Sequence, residues 1–131
     1  METSARGCVY NVNYHIVWCT KYRRKVIYGD VEQYLRHILA AEAGTMDIIV
    51  AAEEVMPDHV HLFVTAHPKL SPSRIVNQLK GVTSRMLFLR FPYLKRRFWR
   101  EHLWNPSYYI GTCGDVSKDV VQRYIEMQKE R

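Results

Sequence analysis

The sequence predicts an α+β fold built on a four-stranded antiparallel sheet. Three observations carry that expectation. Strand-like stretches recur four times, amphipathic stretches with helical spacing follow the first and the third of them, and a tight turn joins the second strand to the third. A further helix closes the chain, so the order is β-α-β-β-α-β-α.

Each element has its own local reason. In "YNVNYHIVWCT", Val12, Tyr14, Ile16 and Trp18 alternate with Asn11, Asn13, His15 and Val17, which marks a strand from roughly residue 10 to 19. "GDVEQYLRHILAAEAG" opens on Asp30 as N-cap with Gln33 three residues on. It carries apolar groups at 31, 34, 35, 38 and 39 and stops at Gly44. "MDIIVAAEEV" is a second strand, and "MPD" turns the chain into a third from His59 to Ala66. Ser71 then caps a helix with Pro72 at its first position. Ile75, Leu79, Val82, Met86 and Leu89 follow at spacings of 4, 3, 4 and 3, and the helix ends before Pro92. The last strand spans Ser107 to Cys113, and Ser117 begins the final helix. Helices after strands one and three suggest a ferredoxin-like sheet, of the kind seen in RNA-recognition domains, covered on one face. The final helix is surplus to that core and is available to the other face.

A chain of 131 residues without repeats or linker-like segments reads as a single domain over 1–131. At that length about two thirds of the unfolded surface is buried on folding. Three widely spaced cysteines, Cys8, Cys19 and Cys113, suggest neither a disulfide framework nor a zinc knuckle. With no apolar leader and no membrane-length apolar run, the expectation is a cytoplasmic protein with no membrane partner. Net charge is +6 and the pI is about 9.3. The excess is clumped in "KYRRK" (Lys21, Arg23, Arg24, Lys25) and "LKRRFWR" (Lys95, Arg96, Arg97, Arg100). Both clusters interleave cations with aromatic rings, as a groove that tracks a phosphate backbone and stacks unpaired bases requires.

Two features carry possible chemistry. His59 and His61 in "MPDHVHLFV" stand on one face of a strand, and two buried imidazoles cost free energy unless each finds a partner. They fit a pair of satisfied core rings or a pair of ligands on the open sheet face. His15, His37, His67 and His102 show no metal-ligand spacing to one another and read as surface or locally bonded groups. On the last helix, "SKDVVQRYIEMQKER", Tyr124 and Gln128 are four residues apart and share a helical face. Beside Val120 and Val121, Tyr124 equally fits the apolar side of an amphipathic helix.

Taken together, "YHIVWCTKYRRKVI", "MPDHVHLFV", "NQLKGVTSRML", "FWREHLWNPSYYIGTCG" and "VVQRYIEMQ" resemble the single-domain transposases of the IS200/IS605 insertion sequences, in order from about residue 9 to 128. Those are HUH (His-hydrophobic-His) single-strand endonucleases of prokaryotes. The resemblance implies a ferredoxin-like homodimer with a divalent metal that cleaves and rejoins single-stranded DNA at hairpin-bearing ends. It maps the metal-binding histidines onto His59 and His61, the third protein ligand onto Gln128 and the catalytic nucleophile onto Tyr124 of the C-terminal helix. A phenol attacking a phosphodiester gives a 5′-phosphotyrosine and a free 3′-hydroxyl, which keeps the bond available to a second DNA end. No nucleotide cofactor is required, and the chain has no GxxxxGK[ST] loop. Neutral nitrogen and oxygen ligands suit Mg²⁺ or Mn²⁺ without excluding Zn²⁺. The resemblance also implies an active site shared between subunits, and Gly111 and Gly114 precede the last helix where a hinge would let it swing. Two other readings accompany this one: a host-adopted, REP-associated tyrosine transposase acting on chromosomal hairpins, and a non-catalytic module binding single-stranded nucleic acid on its sheet. A protein acting on chromosomal DNA would be associated with the nucleoid.

Overall fold

The computed structural model describes residues 11–99 and 102–113, with a two-residue ladder pairing Ser4–Ala5 with Cys8–Val9. Four strands form the main sheet: β1 (Val12–Cys19), β2 (Ile49–Met56), β3 (His59–Ala66) and β4 (Tyr109–Cys113). They lie in the order β2-β3-β1-β4, with every pair antiparallel. Helix α1 (Gly29–Thr45) follows β1, and α2 (Pro72–Arg90) follows β3. The expected α+β sheet, with its β-α-β-β-α-β order, is present.

Alternation along the central strands divides the sheet into two faces. Ile16 and Trp18 of β1 and Val60, Leu62, Val64 and Ala66 of β3 are almost completely buried. They join Val31, Leu35, Ile38 and Leu39 of α1 and Ile75, Leu79 and Leu87 of α2 in one apolar cluster. The intervening residues, His15, Val17 and Cys19 on β1 and His59, His61 and Phe63 on β3, therefore line the face away from the helices.

Three details depart from the sequence reading. Helix α1 begins at Gly29 rather than after an Asp30 cap: Tyr28 is the capping residue and makes no side-chain capping bond, while Asp30 and Glu32 sit in the first turn. Gly29 takes φ 57°, which glycine adopts without steric cost, and the two carboxylates complement the helix dipole without capping it. The helix also runs past Gly44 to Thr45. Pro92 ends α2 but also opens a further short helix, α3 (Pro92–Arg97). A missing N–H is harmless at a first helical position, so the same proline stops one helix and starts the next. Finally, Gly111 belongs to the ladder of β4, opposite His15, and is no hinge; Gly114 lies outside the described residues. Among the described residues, no helix is long and apolar enough to cross a membrane.

Candidate active site on the open sheet face

The ladder brings the two sequence-predicted histidines to the centre of the open face. His61 is directly opposite Val17, which is opposite Tyr109 on its other side, and His59 is opposite Cys19. The His59 and His61 rings are 5.0 Å apart between centroids, edge to face. A cavity of about 690 Å³ opens above them, walled by His15, Arg23, Ser107, Tyr108 and Tyr109.

Neither imidazole is left to itself. His59 Nδ1 is 2.7 Å from Asp58 Oδ1. His61 Nδ1 is 3.4 Å from Nε2 of His15. Burial, with the neighbouring His59 and His15 rings, pushes the His61 imidazole down to about 4, so it is neutral at physiological pH. Burial also lowers His15. For Asp58, desolvation acts to raise the carboxyl, but the His59 hydrogen bond and the Arg23 guanidinium outweigh it and hold it below the usual carboxylate range.

The walls are held by longer-range contacts. Loop residues 20–27 are stitched to the β2–β3 turn: Thr20 N donates to Asp58 O at 2.9 Å, and Val26 N and Ile27 N donate to Pro57 O at 3.1 and 3.0 Å. Within that loop Tyr22 and Arg23 take φ 61° and 51°, the left-handed region that side chains rarely adopt. The strained turn aims Arg23 at Asp58, with Nε and Nη2 each 3.2 Å from Oδ2. On the opposite wall, Lys80 of α2 donates from Nζ to Asn105 O at 2.6 Å and Ser107 O at 3.3 Å and lies 5.5 Å from the Tyr108 ring centroid. Burial lowers the Lys80 ammonium, which is consistent with its use as an internal strut. Gly111 completes this wall: a Cβ there would meet the Tyr109 hydroxyl at 2.6 Å, so only glycine lets the Tyr109 ring fold over it toward His15, 5.5 Å away.

The basic clusters converge from distant parts of the sequence. Lys21, Arg23, Arg24 and Lys25 occupy the loop after β1, with Lys21 N bonded to Leu103 O at 2.8 Å. Lys95, Arg96 and Arg97 are exposed on α3. Arg24 bridges the two regions, its guanidinium 5.7 Å from the Tyr22 ring centroid and 5.8 Å from that of Phe98. Tyr22 and Trp99 are largely exposed, at 63% and 78%. Tyr124, Gln128 and Arg100 lie outside the described residues. Among the described residues, no group of three or more His, Cys, Asp or Glu side chains is placed to hold a metal ion.

Sequence reasoning missed three participants. His15 is buried in the site, its ring stacked on Phe63 at 4.5 Å, and is not a surface group. Its parity on β1 relative to buried Ile16 and Trp18 was the available signal. His67 is locally bonded, accepting from Lys69 N at 3.0 Å, and His37 and His102 are exposed, as expected. Asp58 was read only as a turn residue. Lys80 had no sequence signal, because its acceptors are backbone carbonyls 25 and 27 residues away.

Comparison with known proteins agrees with this architecture. The profile of a family described as "Transposase IS200 like" matches residues 8–128. The ISDra2 transposase TnpA of Deinococcus radiodurans is 42% identical over 126 residues, covering 96% of this chain and 90% of the relative. A transposase for insertion sequence element IS200 from Salmonella typhimurium is 33% identical over 129 residues, covering 98% and 84%. A crystal structure from Deinococcus radiodurans, also described as a transposase, superposes with a TM-score of 0.79 at 40% identity and covers 96% of this chain and 97% of that one. A REP-associated tyrosine transposase solved on a REP hairpin shares the fold, with a TM-score of 0.63 at 18% identity, covering 99% of this chain and 74% of that one.

Proposed function

The chain belongs to the IS200-like transposase family, and we propose that it cleaves and rejoins single-stranded DNA at hairpin-bearing insertion-sequence ends. The observation that carries this reading is the pairing of His59 and His61 in a cavity on the sheet face opposite the helices. Neutral imidazoles with Nδ1 engaged by protein groups present Nε2 as a candidate donor, and a site built from them suits a divalent cation whose remaining positions are filled by oxygen. Gln128 supplies the third protein ligand, and Mg²⁺ or Mn²⁺ is the expected ion. When bound, the ion polarises the scissile phosphate and offsets charge developing on its oxygens.

Tyr124 is the nucleophile. Its phenolic oxygen attacks phosphorus, the bond to the 3′ oxygen breaks, and the phenolic proton is balanced by the one gained by the released 3′-hydroxyl. The 5′ end remains on the tyrosine until a second 3′-hydroxyl reverses the reaction. Arg23 borders the cavity and the basic loop continues from it, so the phosphates flanking the scissile bond are met by Lys21, Arg23, Arg24 and Lys25. Lys95, Arg96, Arg97 and Arg100 extend the contact toward the hairpin. We assign the working unit as a homodimer whose Tyr124 helix completes the site of its partner.

The test is to incubate the protein with labelled single strands from the DNA flanking its gene. A covalent adduct that survives denaturation, maps to Tyr124, disappears with a chelator and returns with Mg²⁺ or Mn²⁺ is expected. An adduct on Tyr108 or Tyr109, or one retained by Tyr124→Phe, would overturn the nucleophile assignment. Hairpin binding without cleavage in any metal would leave the non-catalytic binding module as the function.

A further inference from the structure

The two imidazoles at the centre of the cavity each meet a partner through the same ring nitrogen, Nδ1, but the partners differ in chemistry. We propose that Asp58 and His15 are positioning residues that hold His59 and His61 in the tautomer and orientation that turn Nε2 of both rings toward one cation. This rests on the reading of His59 and His61 as metal ligands and adds the groups behind them.

An ionised carboxylate only accepts, so the 2.7 Å contact from Asp58 Oδ1 requires the hydrogen of His59 to reside on Nδ1. That places the lone pair on Nε2, the atom able to ligate. The carboxylate is itself fixed, its other oxygen taking both Arg23 contacts at 3.2 Å and its backbone carbonyl taking Thr20 N at 2.9 Å. Arg23 reaches it only because the preceding turn is held in the left-handed region at Tyr22 and Arg23. His15 is locked differently. Its ring lies within 3° of parallel to Phe63 at 4.5 Å and meets the edge of Tyr109 at 5.5 Å, which leaves Nε2 at 3.4 Å from His61 Nδ1. Burial keeps both of these rings neutral near neutral pH, so one nitrogen of the contact donates and the other accepts. Donation from His61 Nδ1 to His15 Nε2 puts the His61 lone pair on Nε2, matching His59.

Metal-bound histidines commonly donate their other N–H to a carboxylate or another acceptor, and loss of that partner costs roughly 10–100-fold in metal affinity. The anionic partner should matter more than the neutral one, which ranks Asp58 above His15.

The experiment uses the full chain. Long-range ¹⁵N–¹H imidazole correlations on metal-free protein at neutral pH report the tautomers, and calorimetric titration with Mn²⁺ reports affinity. Wild type should carry hydrogen on Nδ1 of both His59 and His61. Asp58→Ala should move His59 toward the Nε2–H tautomer and weaken Mn²⁺ binding about 10–100-fold with an essentially native circular dichroism spectrum. Asp58→Asn, which keeps an acceptor oxygen and is the gentler change should the alanine variant fail to fold, should retain the tautomer and lose less affinity. His15→Phe preserves the stacking on Phe63 and should disturb only His61. An Nε2–H tautomer of His59 in wild type would overturn the proposal, as would unchanged tautomers and affinity in Asp58→Asn and His15→Phe. Wild type that binds no Mn²⁺ would instead refute the metal reading, while the metal-free tautomers would still decide whether the two rings are positioned as argued.

Discussion

His61 and Leu62 are adjacent in the chain and opposite in what they do. Leu62 is completely buried among α1, α2 and the alternate residues of the strands, whereas His61, also buried, faces the cavity and the His15 ring. The same division holds between His15 and Ile16 on the neighbouring strand. One face of the sheet is satisfied by shape and apolar area alone, so its residues are exchangeable within volume limits. The other face buries polar rings that need specific partners, and its residues are exchangeable only if those hydrogen bonds survive. A strand that alternates between these demands carries stability and chemistry in one short stretch without mixing them.

Paired substitutions test that division. His61→Ala should reduce adduct formation below detection in a gel assay while leaving the thermal unfolding midpoint close to wild type. Leu62→Ala should cost about 2–5 kcal/mol of stability in denaturant titration, with activity lost only as the protein unfolds. If Leu62→Ala stayed folded but inactive, or His61→Ala unfolded, the two faces would not be separable. A second test asks whether the open face is completed within one chain. Mixing Tyr124→Phe with His59→Ala under conditions of subunit exchange should restore cleavage, because each heterodimer then has one site with histidines from one chain and tyrosine from the other. Heterodimers that form, bind DNA and stay inactive would place the tyrosine helix over its own sheet.

Smaller effects sharpen the contrast. Arg96→Gln with Arg97→Gln should weaken single-strand binding and reduce the slope of log affinity against log salt by about 1.4, on the basis of two lost phosphate contacts. Arg23→Gln with Arg24→Gln should lower DNA affinity too, and should also weaken Mn²⁺ binding, because Arg23 braces Asp58. Equal Mn²⁺ affinity in both double variants would disconnect the basic loop from the histidines. The smallest effect is expected on the helix-covered side, where Arg36 of α1 pairs with Glu32 at 3.1 Å and Glu53 of β2 at 3.0 Å. Glu53→Gln should change stability by no more than about 1 kcal/mol and adduct yield not at all, because the pair is part-exposed and far from the open face.

Much of this molecule was legible before folding. Alternation in "YNVNYHIVWCT" marked β1, Ser71 and Pro72 marked the start of α2, and Ser71 Oγ does accept from Arg74 N at 3.2 Å. The HVH triplet read as two rings on one face, and the register confirms that placement. Less legible were features whose signals are ambiguous locally. Asp30 had capping chemistry, but the chain entered the helix through Gly29 one residue earlier. Pro92 correctly ended α2 while concealing that α3 began on the same residue.

Local patterning by itself determined the order of elements, which residues of each strand share a face, and that two imidazoles on β3 required partners. Those properties follow from strand periodicity and from the cost of burying polar groups, and both act within a few residues. The partners themselves were a tertiary matter. His15 reaches His61 across 46 residues, Arg23 reaches Asp58 across 35, and Lys80 holds the wall at Asn105 across 25. Such contacts depend on strand order and register, which no local stretch encodes. His15 could therefore be read as an unremarkable histidine until β1 was laid beside β3 and its ring came to rest against the site.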